Sequence, residues 1–254
     1  MKVALIQSNL VWENPKANRE IFTLKINEIQ EKIDLIVLPE MFTTGFTMHP
    51  NFVAETMDGE TVHWMVELAK AKNAAITGSI IIQENKQYYN RMLFVFPNGE
   101  IQYYNKKHLF SLAGEEKIYR AGEEKVIVDY LGWKICLMVC YDLRFPVWSR
   151  NQENYDVLIY VASWPEVRIK AWDALLQARA IENMSYVIAV NRVGLDYHNY
   201  NHSGHSQVIN YLGEYSIEPQ ENEGTYIVNL DKEQMLSDRK RFGFLNDKDI
   251  FRIL

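Results

Sequence analysis

Cysteine is scarce in this chain: Cys136 and Cys140 are the only two in 254 residues, four positions apart in one apolar segment. A strand of that length holds their side chains too far apart for a disulfide, and the spacing is not that of a zinc pair. The six histidines are scattered, so no Cys/His cluster is present to ligate a metal. Long basic blocks are missing, and the formal net charge is -6, which argues against a nucleic-acid or membrane-surface partner. No apolar run approaches the length of a membrane span. The N-terminus passes straight into Lys2-Val3-Ala4-Leu5-Ile6-Gln7, too short and too quickly polar for a signal peptide. Repeats, low-complexity tracts and linkers are also absent. With 48% hydrophobic and 24% charged residues, the expectation is one globular, cytoplasmic domain over residues 1–254 that acts on a small molecule.

Hydrophobic periodicity alternates between strand and helix along the chain. Residues 3–8 and 34–38 read as buried strands, and Asn14-Pro15 opens an intervening helix that ends near Lys32. Residues 60–72 have helical spacing. Three strand-like runs follow at 75–83, 88–96 and 101–104, turned by Glu84-Asn85-Lys86 and Pro97-Asn98-Gly99. From 105 to 122 the pattern is lost in a long charged connection, of the kind that is often functional in compact domains. A hairpin over 126–139 turns at Leu131-Gly132, Pro146 opens a helix, and 156–161 is another buried strand. Residues 168–183 read as a helix, 186–190 as a strand, and 206–210 with 225–230 as a late β region. The class is mixed α/β with layers of sheet and helix.

Chemistry is best sought where apolar strands give way to polar residues, because side chains and free N–H groups there face a crevice. Cys140 closes the run Ile135-Cys136-Leu137-Met138-Val139 and precedes Tyr141-Asp142-Leu143-Arg144-Phe145-Pro146. A free cysteine more often fills space than reacts, and a neutral thiol needs a base before it attacks. His49, His198, His202 and His205 fall in loop-like stretches and His63 on a helix, which leaves Glu40 as the better candidate base. It follows the second strand and precedes Met41-Phe42, and burial makes a carboxylate a stronger proton acceptor. Capping a turn or pairing with a lysine is an equally ordinary use for such a glutamate. An attacked carbonyl also requires a cation or aimed N–H donors for its oxyanion. Lys106 or Lys107 offers the charge, and the backbone N–H of Tyr141 a second donor.

Three separated motifs, in this order, resemble the nitrilase superfamily of carbon–nitrogen hydrolases. They are Leu38-Pro39-Glu40-Met41-Phe42, Lys106-Lys107-His108-Leu109-Phe110 and Cys140-Tyr141-Asp142-Leu143-Arg144-Phe145-Pro146, and the resemblance spans nearly the entire chain. It implies a four-layer α-β-β-α sandwich, pairing through an outer layer as a homodimer, and a reaction without metal or organic cofactor. It also implies a Glu-Lys-Cys triad. Glu40 matches the general base, Lys106 the lysine of a Lys-x-His-Leu-Phe pattern, and Cys140 the nucleophile. A further family glutamate stands seven residues before an Ala-Gly or Pro-Gly. Glu115 has that relation to Gly122 and is expected to help Glu40 activate water.

Within the superfamily the Cys140 motif looks like the amidase branches. Phe110-Ser111-Leu112-Ala113-Gly114-Glu115 and Ala162-Ser163-Trp164-Pro165 are similar to the bacterial ω-amidases, which hydrolyse 2-oxoglutaramate and 2-oxosuccinamate. A small, polar pocket is expected for that activity, with Phe42, Phe110 and Trp164 as candidate lining. Arg144 is a candidate partner for the substrate carboxylate, and equally for a buried ion pair that orders the turn. The nearest alternative is an amidase for N-carbamoyl compounds or deaminated glutathione. A catalytically silent binding or scaffold protein is more distant, having no need of Glu40, Lys106 and Cys140 together. A redox pair is weaker still, since alternation puts Cys136 and Cys140 on one strand face without joining their sulfurs. Arg179, Glu182 and Asn183 look like one structural element with no role that the sequence assigns.

Overall fold

Strands form at every position where alternation places them, and they gather into two six-stranded sheets in the computed structural model, which describes residues 1–253. The first sheet runs Gly224–Asn229, Lys2–Gln7, Leu35–Val37, Ala75–Glu84, Gln87–Val95, Ile101–Asn105 from edge to edge. The second runs Tyr215–Gln220, Ser206–Ile209, Tyr186–Asn191, Val157–Ala162, Trp133–Val139, Ile127–Tyr130. Each has three parallel strands at its centre, Lys2–Gln7 to Ala75–Glu84 in one and Trp133–Val139 to Tyr186–Asn191 in the other. Antiparallel strands flank them.

The central strands are apolar on both faces, as strands covered on both sides must be. Side chains alternate across a strand, and here the alternation separates two cores. Val3, Leu5, Leu35 and Val37 point toward the second sheet, where they join Ile135, Leu137 and Ile159 in the core between the sheets. Ala4, Ile6, Ile36 and Ile76 point the other way, onto Phe22 and Ile26 of helix Pro15–Glu28 and Val62, Met65 and Ala69 of helix Glu60–Lys72. Trp172, Leu176 and Ala180 of helix Ile169–Asn183 cover the outer face of the second sheet. The result is the four-layer α-β-β-α sandwich.

The late β region divides between the sheets: Ser206–Ile209 stays in the second, whereas Gly224–Asn229 crosses to pair antiparallel with Lys2–Gln7 of the first. Several elements lie outside the sequence pattern, among them the short strands Val193–Leu195 and Asn201–Ser203, which pair as a separate two-stranded sheet. Tyr215–Gln220 is an edge strand that carries Pro219 and is only partly buried, so neither alternation nor composition marks it. Helix Lys232–Phe242 buries Met235 alone and docks through charge, with Lys232 Nζ 2.6 Å and Arg239 Nη1 3.1 Å from the Asp156 carboxylate. No helix among the described residues is long and apolar enough to cross a membrane.

Candidate active site

The ends of several strands converge on one pocket. Leu35–Val37 leads into Glu40, Ile101–Asn105 into Lys106, Trp133–Val139 into Cys140 and Val157–Ala162 into Ser163, and all four residues line it. Two of these turns are sharp. Cys140 has φ +45° and Met41, next to Glu40, has φ +44°, a region that costs a non-glycine residue about 1–3 kcal/mol unless its surroundings hold it. Asp142 does so for Cys140. Its Oδ2 accepts the Val139 N–H at 3.0 Å and the Tyr104 hydroxyl at 2.8 Å, and its Oδ1 accepts the His108 N–H at 2.9 Å and Nδ1–H at 2.8 Å. The His108 ring stacks on Phe145 at 3.8 Å, which ties the lysine motif to the cysteine turn. At Met41 the N–H donates to Ser79 Oγ at 2.9 Å, and the carbonyl accepts from Gly45 at 2.8 Å.

Arg179 and Asn183 anchor the segment beyond the turn. Arg179 Nη2 donates to the Leu143 carbonyl at 2.7 Å, its Nη1 pairs with Glu182 at 3.0 Å, and Asn183 Oδ1 accepts the Asn151 N–H at 2.8 Å. That is a positional role for all three residues.

Lys106 sits between two carboxylates. Its Nζ donates to Glu40 Oε1 at 3.0 Å and to Glu115 Oε1 and Oε2 at 3.1 and 2.9 Å, with all three side chains 0–1% exposed. Glu40 Oε2 accepts the Ser163 N–H at 2.8 Å, and Glu115 Oε2 accepts the Phe110 N–H at 2.5 Å. Gly122 makes the arrangement possible: its N–H donates to the Lys106 carbonyl at 2.9 Å, and a Cβ there would stand 2.1 Å from the Asn105 carbonyl oxygen. Lys107 lies elsewhere, its ammonium over the Trp148 ring at 5.2 Å.

The electrostatics follow from this crowding. Burial opposes charge on Lys106, but Glu115, Glu40 and Cys140 outweigh it and hold the ammonium pKa above its ordinary value. Burial pushes the Cys140 thiol well above the usual range and Glu40 adds to the push, while Lys106 and the Ser163 N–H pull the other way. Glu115 is raised by burial; Lys106 lowers it and Glu40 raises it. The resting thiol is therefore neutral, and forming a thiolate needs an acceptor for its proton.

The cavity has a volume of about 710 Å³, within the range of sites for drug-sized ligands and roomier than the small pocket expected. Tyr141, Phe110, Trp164 and Arg144 line it. Phe42 does not. It is fully buried against Phe22 and Trp64, with ring centroids at 5.4 and 5.8 Å, because the left-handed turn at Met41 swings the following residue into the helix-side core. Arg144 is exposed, with its guanidinium over the Trp164 ring at 5.2 Å rather than in a buried ion pair. Glu115 is not part of the wall; it lies behind Lys106. The pairing of Cys136 and Cys140 on one strand face also fails. The strand ends at Val139, the next residue turns away to a partly exposed position at the pocket, and Cys136 is fully buried in the core.

Several residues at or behind the pocket carry no sequence signal. Arg168 places its guanidinium over the Phe110 ring at 5.2 Å. His202 is buried, and burial followed by the nearby Arg192 charge pushes its pKa down to about 4. The neutral ring donates Nδ1–H to the Tyr200 carbonyl at 3.1 Å, which leaves Nε2 to accept the Ser163 hydroxyl at 3.3 Å. Asn191 fixes the adjoining turn by accepting the Trp164 N–H at 2.8 Å and donating to the Trp164 carbonyl at 2.9 Å. Asn90 lies behind the wall and donates to Glu40 Oε1 at 2.7 Å.

A family model described as carbon-nitrogen hydrolase matches residues 2–240. The omega-amidase YafV of Yersinia enterocolitica is 42% identical over 257 residues, covering 100% of this chain and 99% of that protein. A 2-oxoglutaramate amidase of Bacillus subtilis is 31% identical over 256 residues and covers 98% of each chain. Among solved structures, XC1258 from Xanthomonas campestris is a CN-hydrolase superfamily protein with an arsenic adduct in its active site. It superimposes with a TM-score of 0.97 at 39% identity, over 100% of this chain and 98% of that one. Together with the three strand-end motifs and the four-layer sandwich, these matches identify the chain as a member of the carbon–nitrogen hydrolase family.

Proposed function

We propose that this protein is an ω-amidase that hydrolyses the terminal amide of small 2-oxo dicarboxylic acid monoamides, 2-oxoglutaramate and 2-oxosuccinamate, to the 2-oxo acid and ammonia. The observation that carries the reading is one ammonium held between two buried carboxylates in the same pocket as the Cys140 thiol. The activities that name the similar omega-amidase and 2-oxoglutaramate amidase support the substrate class.

The chemistry follows from the groups present. As the sulfur of Cys140 bonds to the amide carbon, Glu40 takes the thiol proton, because the thiol does not ionise unaided in so buried a place. The oxyanion that develops meets the buried Lys106 ammonium and the Tyr141 N–H. Glu40 returns the proton to the leaving nitrogen, the C–N bond breaks and ammonia departs, leaving a thioester on Cys140. Water then attacks the thioester carbon while Glu40 takes its proton; the C–S bond breaks and the acid leaves with the thiol restored. Both oxygens of Glu115 are engaged by Lys106, so its part is to hold that ammonium in place rather than to touch water. Arg144 takes the carboxylate at the far end of the substrate, a charge-assisted contact worth about 1.5–3 kcal/mol.

The same reading includes a cytoplasmic homodimer. Exposed apolar side chains at Val147, Ile181 and Leu212, on and beside the outer helix Ile169–Asn183, support pairing through that layer. One observation favours a second substrate reading: a cavity of about 710 Å³ leaves room for a bulkier amide such as deaminated glutathione or an N-carbamoyl compound. The test compares turnover of 2-oxoglutaramate, glutamine, an N-carbamoyl amino acid and a simple aliphatic amide, read by ammonia release, with turnover of deaminated glutathione, read by release of its cysteinylglycine. Preference for 2-oxoglutaramate supports the ω-amidase, and preference for a bulkier member of the panel replaces it.

A further inference from the structure

Among the described residues, Asn90 is the one neutral side chain that touches both carboxylates of the site. It lies in strand Gln87–Val95, is fully buried, and donates Nδ2–H bonds to Glu40 Oε1 at 2.7 Å and Glu115 Oε1 at 3.5 Å. Its backbone carbonyl accepts the Lys106 N–H at 2.9 Å. One residue thus contacts Glu40, Glu115 and Lys106 together. Its own Oδ1 is buried without a hydrogen-bond partner, which is costly in an interior. The opposite amide orientation would place that oxygen 2.7 Å from the Glu40 carboxylate, acceptor against acceptor, so the carboxylates dictate which way the amide faces.

From this geometry we infer that Asn90 is a positioning residue that selects the oxygen of Glu40 acting as the base, an inference that rests on the proposed role of Glu40. A carboxylate oxygen has two in-plane lone pairs. Those of Oε1 are taken by Lys106 Nζ at 3.0 Å and Asn90 Nδ2 at 2.7 Å. Oε2 accepts only the Ser163 N–H at 2.8 Å, which leaves it one free lone pair. Oε2 therefore takes the proton from Cys140 and later from water.

The test uses Asn90→Leu, which keeps most of the volume and removes the donor, and Asn90→Ala as a second variant. Whichever amide the wild type hydrolyses best serves as substrate, so a wrong substrate assignment shows in the wild type alone and leaves this test intact. Loss of the donor is expected to lower kcat about tenfold or more with KM little changed. The loss is read per active site, counted by Cys140 alkylation, so a variant that folds poorly still reports. The rate of Cys140 alkylation by iodoacetamide at fixed pH gives the same comparison without substrate and is expected to fall in parallel, because the thiol has lost a correctly placed acceptor for its proton. A wild-type turnover per active site and a wild-type alkylation rate, with activity lost only in proportion to folded protein, would overturn the inference.

Discussion

Substituting Glu115→Gln probes the lysine clamp while keeping its shape. Lys106 Nζ has three carboxylate contacts, at 3.0, 3.1 and 2.9 Å, and two of them belong to Glu115. The amide offers one acceptor oxygen, and its NH₂ must then face either the ammonium or the Phe110 N–H, donor against donor. Removing one partner of a buried ion pair costs 3–5 kcal/mol; with Glu40 still bound to the lysine, about 3 kcal/mol is the appropriate figure. For a chain of this length that lowers Tm by roughly 6–12 °C. An oxyanion donor left out of place costs about 100-fold in kcat or more, and KM should change little. Thermal unfolding and steady-state kinetics read both effects, and Lys106→Met completes a double-mutant cycle. In the Lys106→Met background the Glu115→Gln change should be neutral or stabilising, because it removes a buried charge that has lost its cation. A coupling energy below about 0.5 kcal/mol, or a Glu115→Gln enzyme with wild-type turnover, would refute the clamp.

Two other expectations follow from single side chains. Arg144→Gln should raise KM for 2-oxoglutaramate about 10- to 100-fold and leave that for an uncharged aliphatic amide nearly unchanged; equal effects on both would remove the arginine from substrate recognition. His202 ionises in the folded state only near pH 4, against an ordinary 6.5. The unfolded chain therefore binds this proton first, and stability is lost as pH falls through that window, by about 3 kcal/mol in all. Urea unfolding at pH 7 and pH 4.5 should show most of that loss in the wild type and a correspondingly smaller one in His202→Gln. An identical loss in both would place the acid sensitivity elsewhere.

The architecture was legible because its central strands are covered on both faces and read as apolar runs, with polar residues crowding where each run ends. Glu40, Lys106 and Cys140 each follow such an end, so local pattern and site coincide. Phe42 departs from that pattern. It is adjacent to the pocket in sequence, but the left-handed turn at Met41 sends it into the core, and a single positive φ has no reliable signature in a non-glycine residue. Asn90, Arg168 and His202 were out of reach for another reason. Each matters through a partner dozens of residues away, as Asn90 does to Glu40 across 50 positions, and nothing local distinguishes it from an ordinary polar residue. Helix Lys232–Phe242 escaped because it is held by Asp156 rather than by an apolar stripe.

The claim on which the rest depends is that Cys140 is acylated by a 2-oxo acid amide. Hydroxylamine intercepts a thioester more readily than water does, but it also condenses with a ketone, so the most direct measurement is hydroxamate formation from glutaramate, the same monoamide without the 2-oxo group, with Cys140→Ala beside the wild type. The wild type is expected to give the glutaryl hydroxamate, rising with hydroxylamine at the expense of free acid, and a folded Cys140→Ala protein no product. Free acid alone at every hydroxylamine concentration, or turnover by Cys140→Ala, would contradict it.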